Sequence, residues 1–145
     1  MIITLTAALA LAGCSAFTAQ SPEATPTDFA GIVAELEKGG IGVDNVTSGD
    51  AGCDDQQLAR TAIGFDAKGV DQQAPVRIHL YAFASSTVYD QLRPAVDQCA
   101  RSYVSDAAAY SSVDSSPYVF AGNGPWAAGF KDALRAALGR AAVGG

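Results

Sequence analysis

Apolar residues recur at helical spacing in three stretches of the chain. Phe29, Ile32, Val33 and Leu36 share one stripe, as residues three and four apart do on a helix. Thr27 offers a cap for the free N–H groups ahead of it, Asp28 places negative charge at the positive end of the helix dipole, and Lys38 with Gly39-Gly40 ends the segment. A second stripe runs through Val88, Leu92, Val96, Cys99 and Tyr103, with Thr87 and Asp90 at capping-box spacing. Pro94 falls inside it, so the spacing predicts a kink or two short helices. Trp126, Phe130, Leu134 and Leu138 stand four apart in a third stripe, where Ala133 and Ala137 permit close packing and Pro125 suits a first turn.

Between these stretches the period changes to two. Thr61, Ile63 and Phe65 alternate with smaller or polar residues, as do Val76, Ile78, Leu80 and Ala82, and Gly69 and Pro75 punctuate the interval. The pattern predicts a hairpin. Its second strand carries an opposite row of Arg77, His79, Tyr81 and Phe83, a mixed face expected to be half solvated or to floor a shallow groove. Residues 41–57 are rich in Gly and Asp, with Ile41, Val43 and Val46 as a weak edge-strand signal. Residues 111–116 read as a polar connection, and Pro117-Tyr118-Val119-Phe120-Ala121 as a short strand turned by Gly122-Asn123-Gly124-Pro125 into the last helix. The order of helix, edge strand, hairpin, helix, strand, helix predicts an α+β domain: a small, mostly antiparallel sheet of three or four strands with helices packed on one face. The link from the hairpin through the second helix to the next strand is a right-handed crossover if those strands are parallel.

The amino-terminal stretch has a different character. From Ile2 to Leu11 every residue is apolar or small except two threonines, too short a run to span a bilayer and of a length that suits a signal-peptide core. It ends in Leu11-Ala12-Gly13-Cys14, which resembles the lipobox of bacterial lipoproteins. That resemblance implies a signal peptide over residues 1–13, a lipid with its fatty acyl (palmitate-type) chains on Cys14, and a cell-membrane location on the extracytoplasmic face of the envelope. Met1-Ile2-Ile3 carries no Lys or Arg where a signal peptide has a positive segment, so the true start is expected upstream. Residues 14–27 carry Ser, Thr, Pro and Gln with Phe17 as the one large apolar group, and read as a flexible, lipid-anchored tether. A single domain over residues 28–145 follows. Its Gly-x-Gly-Pro-Trp entry to the last helix is similar to that of small uncharacterised bacterial lipoproteins, a likeness that implies no activity.

Cysteine usage follows from the same assignment. With Cys14 given to lipid, Cys53 and Cys99 are left for the domain, and thiols of an exported protein meet an oxidising compartment. A Cys53–Cys99 disulfide is the expectation, contributing roughly 4 kcal/mol on the chain-entropy estimate; two separate buried thiols are the alternative. The composition, 49% hydrophobic and 17% charged, can furnish a packed core. A formal charge of -6 excludes a broad basic footprint for nucleic acid and any purely electrostatic adhesion to anionic lipid.

Candidate chemistry is sparse. Asp44, Asp50, Asp54 and Asp55 do not match the alternating twelve-residue calcium loop. His79 is the only histidine and lacks companions at metal-ligand spacing, so no metal is expected. Gly122, Asn123 and Gly124 before the last helix form a candidate anion site, although neither a dinucleotide fingerprint nor a P-loop is present. No nucleophile-elbow motif occurs and no cofactor is implied. Two readings follow: a membrane-tethered binding or interaction module, whose partner is an envelope protein or a small molecule, and an envelope enzyme using acidic residues.

Overall fold

The computed structural model describes residues 26–143, with side chains described from Phe29 onward. The signal segment, Cys14 and the tether up to residue 25 lie outside the described residues. Helix α1 spans Pro26–Lys38, so Pro26 and Thr27 belong to it. It leads to strand β1 (Ile41–Ser48), the short helix α2 (Gln56–Ala59), the hairpin of β2 (Ala62–Gly69) and β3 (Gln72–Ala82), helix α3 (Ser86–Ala100), strands β4 (Tyr110–Ser115) and β5 (Tyr118–Asn123), and helix α4 (Ala128–Val143). The described residues thus form an α+β domain with a five-stranded sheet in the order β1-β2-β3-β5-β4. Every neighbouring pair is antiparallel, including β3 with β5, so no crossover between parallel strands is needed.

The sheet has more strands than the three or four expected. Residues 111–116 fall largely in β4, which pairs along its whole length with β5. Its sequence, YSSVDS, has a single aliphatic residue, Val113, and that residue is opposite Phe120 in the core. β1 continues to Ser48, past a register shift between Asp44 and Thr47 at which Asn45 has a positive φ of 49°. Such a bulge twists the outer edge and discourages pairing with another chain.

The expectation of helices on one face is corrected: both faces are covered. Phe65, Ala67, Ile78, Leu80, Val113 and Phe120 pack against Ile32 and Leu36 of α1 and Phe130, Leu134, Ala137 and Leu138 of α4. Ala62, Tyr81, Val119 and Ala121 on the other face pack against Leu58 of α2, Val96 and Cys99 of α3, and Ala51 from the loop before α2. The physical reason lies in the alternation of β2, β3 and β5. Each places apolar residues on both sides, so leaving either face bare would expose a contiguous apolar patch.

Helix α3 runs unbroken through Pro94. Pro94 and Asp90, whose carbonyl loses its helical partner, are both exposed, a setting in which solvent can satisfy a freed carbonyl. The cap is Ser85, whose hydroxyl accepts from the Val88 N–H at 3.2 Å, and not Thr87. Helix α4 starts after Trp126, whose indole N–H donates to the Asn123 carbonyl.

The turn between β2 and β3 carries Val70 at φ 56° and half exposed. A β-branched residue in the left-handed region costs about 1–2 kcal/mol. Val70→Asn, which tolerates that conformation, is expected to raise stability by about 1 kcal/mol in a denaturant titration; an unchanged or lowered midpoint contradicts this reading of the turn.

Candidate functional site

The row Arg77, His79 and Tyr81 on β3 does not floor an open groove. The loop of residues 49–55 lies across it, and each member of the row holds that loop. Arg77 Nη2 is 2.6 Å from Asp50 Oδ2. His79 Nδ1 is 3.1 Å from the Asp50 carbonyl oxygen; a carbonyl only accepts, so this nitrogen carries the proton. The Tyr81 hydroxyl donates to the Ala51 carbonyl at 2.7 Å. Two residues further along the loop Cys53 is joined to Cys99 of α3, with Cα atoms 5.5 Å apart, a normal span for a disulfide. The Ala51 carbonyl oxygen also lies 3.1 Å from Cys99 Sγ. A disulfide sulfur has no proton to donate, so this is a close contact and not a hydrogen bond.

Two glycines permit the approach. Gly52 has φ 75°, and a Cβ there would come within 2.5 Å of Tyr103 Cδ1 and 2.8 Å of His79 Nε2. At Gly64, opposite His79 on β2, a Cβ would overlap the Asp50 carboxylate and come within 2.7 Å of Arg77 Nη2. Tyr103, just past α3, packs against the imidazole with ring centroids 4.5 Å apart and the planes tilted by 40°. His79 is thereby 4% exposed and Tyr81 fully buried, while Phe83 is covered as well.

The electrostatics follow from this burial. Loss of solvent pushes the His79 value below its ordinary 6.5, against the favourable carbonyl and carboxylate of Asp50, so the imidazole is neutral at pH 7. Burial pushes the Asp50 carboxyl up, but the Arg77 guanidinium and the nearby imidazole outweigh it and hold the group below the usual carboxylate range. Burial beside Tyr103 raises the Tyr81 phenol far above its usual value, so it stays a donor.

A parallel arrangement fastens α3 to β4. Arg93 Nε donates to Asp114 Oδ1 at 2.8 Å and Arg93 Nη1 to Asp97 Oδ1 at 2.6 Å, while the Tyr110 hydroxyl donates to the same Asp97 oxygen at 2.7 Å. Across the described residues no buried side-chain nitrogen or oxygen is left without a partner.

The acidic residues named from sequence do not converge. Asp50 serves the loop clamp, Asp55 accepts from the Gln57 and Leu58 N–H groups as the cap of α2, and Asp44 accepts from the Asn45 N–H. No group of three or more His, Cys, Asp or Glu suited to a metal ion occurs among the described residues. Gly122 and Asn123 lie in β5, and the Gly124 N–H donates to the Ala109 carbonyl at 2.5 Å. The amino terminus of α4 is served from within the chain: Asp71 accepts from the Gly129 and Phe130 N–H groups at 2.9 and 2.7 Å, and Gln72 Oε1 accepts from Ala127. Asp71 therefore occupies the position a bound anion would take. Its separation from α4 in the sequence gave no signal of this role.

One open concavity, of about 270 Å³, is lined by Gly42, Val43, Asp44 and Asn45 of β1, Asp66, Ala67 and Lys68 of β2, and Pro75. Asp44 and Asp66 are directly opposed across the strands. Asp66 accepts from Asn45 Nδ2 at 2.8 Å and lies 3.4 Å from Arg77 Nη1, so the concavity borders the clamp.

Comparison of the chain with models of protein families, with curated proteins and with solved structures finds no match. The class established is an α+β domain with helices on both faces of an antiparallel sheet and an internally fastened loop.

Two predictions follow from the clamp. Because the folded His79 value lies below 6.5, the unfolded chain takes up the proton first on acidification, and stability falls as pH drops from 6.5 through the folded value. Asp50 and Asp97, held low by their Arg partners, add a second loss below 3.8. The urea midpoint should thus fall between about pH 7.5 and pH 5.5, and His79→Gln, which keeps a donor but does not titrate, should flatten that interval; equal slopes in the two proteins would refute the assignment. Gly64→Ala should cost about 2 kcal/mol by displacing the Asp50 and Arg77 pair, measured by the same titration, and a loss near zero would mean the loop is not seated there.

Proposed function

We propose that the chain is a membrane-tethered, extracytoplasmic binding or interaction module, attached through lipid on Cys14. The observation that carries this reading is the engagement of the domain's reactive side chains in holding the fold, beside an open concavity that none of them closes. His79, Tyr81 and Arg77 hold a loop; Arg93 holds a strand; Asp71 and Asp55 cap helices. The Cys53–Cys99 disulfide supports residence in an oxidising compartment, and the lipobox-like Leu11-Ala12-Gly13-Cys14 supplies the address. Among the described residues no helix is long and apolar enough to cross a membrane, so attachment in this reading rests on the acyl chains.

A carboxyl that serves as a general acid near neutrality has to be held above its ordinary range. Glu35, Asp50, Asp71 and Asp97 are all held below it by donors. The concavity between β1 and β2, with Asp44, Asp66 and Lys68 at its rim, is the surface proposed for a small-molecule or envelope-protein partner.

Cys14→Ala is expected to move the protein from the membrane fraction to the soluble fraction of expressing cells; retention in the membrane would rule out the anchor. In-cell amine crosslinking read by mass spectrometry should recover an envelope partner through Lys68, and recovery of none would count against the interaction reading.

A further inference from the structure

The loop of residues 49–55 has two separate fastenings, and they differ in chemistry. One is the disulfide from Cys53 to α3. The other is the set of three polar contacts from Arg77, His79 and Tyr81. Apolar anchorage is slight: apart from the disulfide, the loop's buried apolar residue is Ala51, and residues 49, 54 and 55 are exposed. The opposite layer, built on Phe65, Phe120, Phe130 and Leu134, contains neither cysteine. The two apolar clusters lie on opposite faces of the sheet, so one can open without the other.

We propose that this loop is a redox-gated cover over the Arg77, His79 and Tyr81 row: shut while Cys53–Cys99 is intact, and released by a dithiol reductant while the layer of α1 and α4 stays folded. Access favours one sulfur. Cys53 is partly exposed and Cys99 is 5% exposed, so the reductant thiolate attacks Cys53 Sγ. A bond forms between that sulfur and the reductant, the bond to Cys99 breaks, and Cys99 leaves with the electron pair and takes a proton from water. The Tyr81 hydroxyl lies 3.7 Å from Cys99 Sγ, and once Ala51 moves away its proton is free to turn to the thiolate. The second thiol of the reductant then attacks the mixed disulfide, frees the Cys53 thiol and leaves the reductant as a disulfide. The inference stands whether or not Cys14 carries lipid.

The sequence contains a single histidine and a single tryptophan, one under the cover and one in the opposite layer. Carbethoxylation of His79 by diethyl pyrocarbonate reads the cover, and Trp126 emission reads the other face. The experiment compares the oxidised protein, the protein reduced with dithiothreitol and freed of it without air, and Cys53→Ser/Cys99→Ser. His79 should react about tenfold faster or more in both the Cys53→Ser/Cys99→Ser variant and the reduced protein than in the oxidised one, with Trp126 emission unchanged, and reoxidation of the reduced protein should restore protection. Protection that persists after reduction overturns the proposal. So does a red shift of Trp126 emission on reduction, because the whole domain would then open and no separable cover would exist.

Discussion

The middle strand β3 must satisfy two faces at once. Ile78 and Leu80 point into the apolar layer under α1 and α4, while Arg77, His79 and Tyr81 point the other way from intervening positions. A strand at the centre of a covered sheet cannot leave a buried imidazole and phenol without partners, because an unmade hydrogen bond in the interior costs more than a made one returns; Arg77, 34% exposed, pairs at the rim. The loop of residues 49–55 supplies those partners through two successive carbonyls and one carboxylate. With the Cys53–Cys99 disulfide, these contacts seat the loop and bury Ala51. A polar row thus organises the second layer as firmly as an apolar stripe organises the first.

The same economy of partners operates at the other end of the hairpin. Asp71 sits at the tip between β2 and β3 and closes the amino terminus of α4, where free N–H groups and the helix dipole attract a negative group. Its carboxyl is held low by the backbone N–H of Gly129, with that of Phe130 adding to the effect. Meeting α4 at that point requires a tight two-residue turn, and Val70 takes the left-handed conformation within it. Glu35 of α1 meets Arg140 of α4 on the outside of the same layer. Local strain in the turn is therefore offset by contacts made far away in sequence.

Periodicity made the three main helices, the hairpin and the last strand legible, because Phe29 to Leu36, Val88 to Tyr103 and Phe130 to Leu138 repeat at helical spacing. The expected pairing of Cys53 with Cys99 is the one the structure shows. β4 was not: Ser111 and Ser112 read as connection, although small polar residues can lie in a strand when a neighbour supplies the bulk, as Phe120 does opposite Val113. The second helical layer was hidden for a related reason. Arg77, His79 and Tyr81 alternate as a solvent-facing row would, and nothing local to them shows that Asp50 and Ala51 lie overhead. Of the aspartates whose spacing fits no calcium loop, Asp50 is paired with Arg77, a partner that the local sequence does not indicate. The close approaches at Gly52 and Gly64 depend on tertiary contacts that no spacing rule encodes.

A shallow concavity lies beside the clamp, between β1 and β2. The central claim is that the loop is seated on the β3 row, and Gly52 is its most sensitive witness: the direction of its missing Cβ points at the ring of Tyr103, with the His79 imidazole beside it. A proton NMR spectrum of the oxidised protein should show one Gly52 Hα resonance displaced strongly from the ordinary glycine range by those rings, with Overhauser contacts to the Tyr103 ring protons. A Gly52 Hα pair at ordinary shifts, with no contact to Tyr103, would contradict the seating of the loop.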